Sequence, residues 1–307
     1  MIRYTLKQLR YFTAAAEAGS VSGGAERCAV SQPSVSAAVA HLEDVLSVQL
    51  FVRQHARGLA LTPAGRRLHA AAQALLLQAG ELAEEASGLA GGLSGDLDVG
   101  CFVTFAPIVL PGLLRVLAAR QPLIRIRPHE DDLRALQHGL RNGRFEVALT
   151  YDLNLEKDIA FEPVVPVPLY AALPADHRLA SADELDLRDL EGEPLVLLGL
   201  PDSRGHFLSL FAEAGLEPDI AYETRSFEMV RGLVANGYGY GLLHTRAPHN
   251  RTLDGSSLVC VPVRDPHRAM HMGLARLKHA RSTGMSRAFG DVCHAHLAGL
   301  LDNGLLP

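Results

Sequence analysis

Residues 18–41, AGSVSGGAERCAVSQPSVSAAVAH, constrain the fold more than any other stretch. They read as two short helices joined by a tight turn. The first holds Ala25, Cys28 and Ala29 at helical spacing, and the second carries Val35, Ala38, Val39 and Leu42 on one face. Ser31 is a natural N-cap, and Pro33 suits a first helical turn because its missing N–H would have no partner there. Small apolar residues on the buried side let the two helices cross closely. The other face shows only Ser31, Gln32, Ser34 and Ser36. A helix with such a face can enter a major groove and touch base edges and phosphates without steric bulk. Double-stranded DNA is the partner this pattern predicts.

The flanks extend the pattern. Leu6, Leu9, Phe12 and Ala16 form an apolar stripe on a preceding helix. Downstream, Val48, Leu50 and Val52 alternate, as do Leu59 and Leu61, with Arg53, His55 and Arg57 between them. Two strands around a basic turn make a wing, whose arginines would meet phosphates or a minor groove. Residues 1–67 hold eight Lys/Arg and four Asp/Glu, while the whole chain is at −5, so a basic head precedes an acidic body. The alternative is a generic helical bundle with a solvated basic loop.

Leu6 to Phe12, Ala25-Glu26-Arg27, Val30 to Ser36, Leu42-Glu43, Leu50-Phe51 and Leu61-Thr62-Pro63-Ala64-Gly65 together resemble the N-terminal domain of LysR-type transcriptional regulators. The resemblance implies a sequence-specific regulator whose DNA contacts fall on Ser31, Gln32, Pro33, Ser34, Ser36, Arg53, Arg57 and Thr62. It implies a dimerising linker helix, a homodimer or homotetramer, and a two-lobed effector domain like periplasmic binding proteins. Val21 stands where the family usually has Phe, and Ala37-Ala38 where a longer polar side chain often follows the serine.

From Pro63 onward the chain is Ala-rich. Leu68, Leu75, Leu82 and Leu89 recur every seven residues, and Ala72, Ala79 and Ala86 follow four places after the first three leucines. This is an a/d seam, and Leu68, Ala72, Leu75, Ala79 and Leu82 are its expected dimer contacts. The alternative is a long helix packed on its own body. Gly91-Gly92 and Ser94-Gly95 then suit a hinge.

Beyond the hinge, strand and helix patterns alternate, which predicts an α/β fold with parallel pairing in two lobes. The predicted layout is a winged helix-turn-helix domain over 1–62, a linker helix over 63–90 and an effector domain over 94–307. Lobe I takes about 94–163 and 269–307, and lobe II about 164–268. Ligands of open α/β sheets bind beyond the carboxyl ends of strands. That rule selects Thr104, Phe105, Asp131, Asp132, Thr150, Tyr151, Ser203, Arg204, Ser226 and Phe227. Thr104 precedes a helix start and Arg204 suits a carboxylate, which favours an anionic or zwitterionic small molecule. Asp131 and Asp132 also suit helix capping.

Other classes find little support. There is no GxSxG elbow, P-loop or HExxH, so neither an enzyme nor a cofactor is expected. His267 with His271 and His294 with His296 make no zinc constellation, and no metal is expected. MIRYTLKQLR lacks a signal-peptide core and no apolar run has spanning length, so a cytoplasmic protein without a membrane partner is expected. Cys28, Cys101, Cys260 and Cys293 show no CxxC, which fits free thiols. Cys101, near the expected cleft, carries the alternative of a redox-responsive regulator. A small-molecule-binding protein or enzyme without a regulatory role is the alternative from another class.

Overall fold

The computed structural model describes residues 3–54, 58–88, 93–264 and 270–302. The chain divides into two compact units, one built from the first 94 residues and one from most of the remainder.

In the first unit, α1 (Leu6–Ala18) starts with a capping box, in which Thr5 accepts from the Gln8 N–H and the Gln8 side chain accepts from the Thr5 N–H. It stops at Gly19 in the left-handed region. Ser20 caps α2 (Val21–Arg27). Helix α3 (Gln32–Leu46) begins after Ser31, whose hydroxyl pairs with that of Ser34 at 2.8 Å instead of capping a backbone N–H. Helices α1 and α2 cross closely at Gly24, where a Cβ would sit 2.7 Å from the Ala15 backbone. Leu9, Phe12, Val35, Leu42, Leu50 and Phe51 form the core. Leu6, expected on the buried stripe, is 46% exposed.

The wing pairs β1 (Phe51–Gln54) with β2 (Gly58–Leu61), Phe51 opposite Leu61. The expected alternation slips by one position. Both Leu50 and Phe51 are buried, and Phe51 meets the Phe12 ring edge-on at 5.4 Å. Helix α4 (Pro63–Gly88) follows. Its seam is not one continuous interface. Ala72 is buried in the core of its own unit, with Leu68 and Leu76 packed against that core. Leu75 and Leu82 are exposed, Leu82 at 69%. The first turns of α4 therefore complete the head, and among the described residues Leu75 and Leu82 of the heptad stay uncovered, while Leu89 lies outside the described residues.

In the second unit, lobe I orders its strands β4 (Ile124–Asp131), β3 (Gly95–Phe102), β5 (Val147–Tyr151), β12 (His271–Leu277) and β6 (Ile159–Pro166). Strand β3 runs parallel to β4 and β5, whereas β12 is antiparallel to β5 and β6, so the sheet is mixed rather than purely parallel. Helices α5 (Ala106–Arg120), α6 (Leu133–Arg141) and α9 (Gly284–Asp302) belong to this part of the chain. Lobe II contains β7 (Tyr170–Pro174), β8 (Pro194–Leu198), α7 (Ser203–Ala214), β9 (Asp219–Thr224), α8 (Phe227–Ala235), β10 (Gly241–Leu243) and β11 (Leu258–Pro262). Strand β8 is parallel to β9, β7 lies between β10 and β11, and a single bridge from Leu195 to Tyr240 joins the two sets. The chain crosses between lobes after β6 and again after β11. No helix among the described residues is long and apolar enough to cross a membrane.

Candidate functional site

Two surfaces carry the expected chemistry. On α3, Ser31, Gln32, Pro33, Ser34 and Ser36 are all exposed, while Val35, Ala38, Val39 and Leu42 are buried. The helix thus presents one amide and several hydroxyls outward. Thr62 is tied into the fold. Its hydroxyl donates to the Gln49 carbonyl at 2.7 Å and accepts from the Gly65 N–H at 2.9 Å, so it caps α4. Arg57 and the Arg53 side chain lie outside the described residues.

The second surface is where the two lobes meet. Thr104 follows β3, and its hydroxyl lies 3.2 Å from that of Thr245, just after β10 in lobe II. The Tyr151 hydroxyl, at the end of β5, bonds the same Thr245 hydroxyl, and Tyr170 donates to the Thr245 carbonyl at 2.6 Å. Burial pushes the Tyr151 phenol well above its ordinary range, so it stays a neutral donor. Nδ1 of His244 is 2.9 Å from the Val167 carbonyl, which can only accept, so His244 donates there. His244 Nε2 and His206 Nε2 share a hydrogen bond of 2.9 Å. Phe207 stacks on the His244 ring.

Phe102, Thr104, Tyr151, Ser203, Phe227 and His244 are among the residues enclosing a cavity of about 20 Å³. That is room for about one water. Four expected residues, Thr104, Tyr151, Ser203 and Phe227, line it. Phe105 is fully buried, packed edge-on against Phe102 and Tyr151, and supports the wall without lining it. Thr150 is buried on β5 opposite Gly273. Ser226 accepts from the Met229 N–H and so caps α8. Asp132 caps α6 through the Ala135 N–H at 3.0 Å, and Asp131 ends β4. Arg204 lies in an open groove of about 490 Å³ that also takes in Arg134, Asp202 and Arg225.

Sequence reading missed His244, Thr245, Arg134 and Arg225. Thr245 lies two residues past the short strand β10, the kind of position the strand-end rule selects. The arginines are assigned only by tertiary pairing. Cys101 is fully buried on β3; burial, and then Cys293 and Glu130, push its thiol well up. Cys293 is likewise pushed up by burial, to about 12. No group of three or more His, Cys, Asp or Glu suited to a metal occurs among the described residues.

A winged helix-turn-helix head followed by a two-lobed α/β domain with a polar cleft defines a ligand-linked DNA-binding protein. Residues 6–66 match the bacterial regulatory helix-turn-helix domain of the lysR family, and residues 90–298 match the LysR substrate binding domain. The chain belongs to the LysR-type transcriptional regulators and is a DNA-binding regulator with an effector domain. The Escherichia coli DNA-binding transcriptional dual regulator OxyR is 30% identical over 275 residues, covering 88% of each chain. HinK, a LysR family regulator from Pseudomonas aeruginosa, superimposes with a TM-score of 0.65 at 41% identity, over 97% of this chain and 99% of that one. A full-length OxyR variant from Pseudomonas aeruginosa superimposes with a TM-score of 0.76 at 27% identity, over 95% of both chains.

Proposed function

We propose that the chain, as a dimer or tetramer in the cytoplasm, reads DNA through the exposed face of α3 and the β1–β2 wing. A small anionic or zwitterionic molecule entering between the lobes then changes that reading. The observation that carries this is the Thr104–Thr245–Tyr151 hydroxyl cluster, which joins the two lobes at strand ends. Its groups can bond each other or a ligand's polar atoms, but not both fully. A ligand that replaces these contacts binds one lobe arrangement better than the other. Coupling of that kind is typically worth about 1–3 kcal/mol.

The names of the relatives raise a second reading, since several are hydrogen peroxide-inducible genes activators. A peroxide sensor needs an accessible thiolate. Cys101, the thiol nearest the cleft, is fully buried and burial pushes it well up, so it does not meet that need in this arrangement of the lobes, while Cys28 and Cys260 are partly accessible but lie away from the cleft lining.

A thermal-shift panel of amino acids and of aliphatic and aromatic acids identifies the effector. Its effect on affinity for DNA selected from a random library is then measured in wild type and in Thr104→Val. The variant keeps the volume and removes the hydroxyl. It is expected to lose the effector response and retain effector-free DNA binding. Peroxide is expected to leave DNA affinity unchanged. A peroxide response abolished by Cys101→Ser would instead establish the redox reading.

A further inference from the structure

The inner cavity is lined by no Asp, Glu, Lys or Arg, but the groove beside it has three arginines from two lobes. Arg134 stands on α6 in lobe I; Arg204 opens α7 and Arg225 precedes α8 in lobe II. Two of them reach across. Arg134 Nη2 lies 3.3 Å from Asp202 of lobe II, and Arg225 Nη2 lies 3.2 Å from Asp132 of lobe I. Each lobe therefore gives one arginine and one aspartate to a reciprocal pair of clasps. The partners differ in accessibility. The Asp202 and Asp132 side chains are 15% and 14% exposed, whereas those of Arg134 and Arg225 are 75% and 69% exposed. The carboxylates are tucked in and the guanidiniums face the groove. Each clasp uses a single Nη2, far short of the two-pronged contact a guanidinium can make. Asp202 is also held at φ +67°, ψ −42°, a conformation that non-glycine residues seldom adopt, and Asn154 of lobe I approaches its Oδ1 at 3.5 Å. Arg204 completes the basic wall while paired to Glu223 at 3.2 Å.

We propose that this groove binds a small molecule bearing two or more carboxylate or phosphate charges, which takes Arg134 and Arg225 from their aspartates and so releases both clasps between the lobes. The inference rests on the reading that lobe arrangement governs the regulator's output. It adds a charged recognition element at the mouth to the hydroxyl floor. A groove of about 490 Å³ accommodates a molecule of this size without any opening of the inner cavity. A single negative charge can replace only one aspartate, so multiple charges are what the reciprocal arrangement selects.

Calorimetric titration of the full chain with citrate, pyrophosphate and acetate tests this. Citrate or pyrophosphate is expected to bind once per chain, more weakly as salt rises, and acetate is not. Preference for citrate identifies a carboxylate site, and preference for pyrophosphate a phosphate site. The Arg134→Gln/Arg225→Gln double variant is expected to lose at least tenfold in affinity and to flatten the salt dependence. Asp132→Asn and Asp202→Asn are expected to tighten binding, because the competing carboxylates are gone; a folding defect cannot produce that sign. Asparagine still caps α6 at position 132. Thr104→Val is expected to bind the polyanion as wild type does, even if it alters the effector response. Binding lost in Thr104→Val would place the anion in the inner cavity and overturn the inference. So would equal affinity in the arginine double variant, or no saturable binding of either polyanion to wild type.

Discussion

Replacing Leu75 and Leu82 together by aspartate is expected to dissolve the oligomer and to lower DNA affinity by about 10²–10⁴-fold. Both leucines lie on α4 and are exposed in the single chain, Leu82 at 69%. Exposed large aliphatic side chains one heptad apart on a helix are what a second chain is expected to cover. Burying one such leucine is worth about 1.5–3 kcal/mol, and two per helix count twice in a symmetric pair. Aspartate at the same positions reverses the sign, because an unpaired carboxylate in a seam costs several kcal/mol. The DNA effect follows from linkage: two heads held together bind a second half-site at high effective concentration, and separate heads do not. Sedimentation and fluorescence anisotropy check both parts. An intact oligomer with unchanged affinity would locate the interface elsewhere. Leu68→Ala is the instructive control. Leu68 packs on its own head, so this variant should lower the head's melting temperature and leave association intact.

The second large effect separates two kinds of DNA contact. Gln32→Ala on the exposed face of α3 is expected to relax sequence preference, at about 1–3 kcal/mol for a lost bidentate base contact. Arg53→Ala on the wing is expected to weaken binding to every sequence alike. It should also reduce the slope of log affinity against log salt by about one, because one fewer phosphate is neutralised. Binding measured across several salt concentrations, on selected and on scrambled DNA, distinguishes them. An unchanged slope in Arg53→Ala would remove the wing arginine from the interface.

What the sequence disclosed depends on how local each signal is. The two helices of residues 18–41 are written in caps and spacing that act within one or two turns, and α2 and α3 appear there. Strands with dense aliphatic runs, such as Val147–Tyr151, are equally plain. Strands β6, β7 and β11 escaped notice for identifiable reasons. Prolines at 163 and 166 break the pattern of β6, which sits at a sheet edge where a missing N–H is tolerated. Strand β7, Tyr-Ala-Ala-Leu-Pro, has an apolar run too short and alanine-rich to be told from helix. The heptad of α4 misled by being correct about the stripe and silent about what covers it. Part of that stripe meets the chain's own α1 side, and periodicity alone cannot say which surface comes to meet it. In the cleft, the strand-end rule found Thr104 and Tyr151. His244 and Thr245 lie just past the strand that the pattern does show at Tyr240–Leu243, and what marks them is their pairing with residues of the other lobe and of the crossing segment, which no local pattern carries. Arg134 and Arg225 carry no local mark at all. Their roles are created by aspartates 68 and 93 positions away along the chain.

The four thiols differ in one respect that turns them into a clock. Cys28 and Cys260 are partly accessible, while Cys101 on β3 and Cys293 on α9 are sealed in the interior. A maleimide reagent therefore meets two populations in the folded protein. The first reacts in place; the second waits for the effector domain to breathe. When closing outpaces labelling, the slow rate measures the fraction of time that domain is open. Any molecule that tightens the two lobes should slow it, and no dye, tag or substitution is needed to see the change.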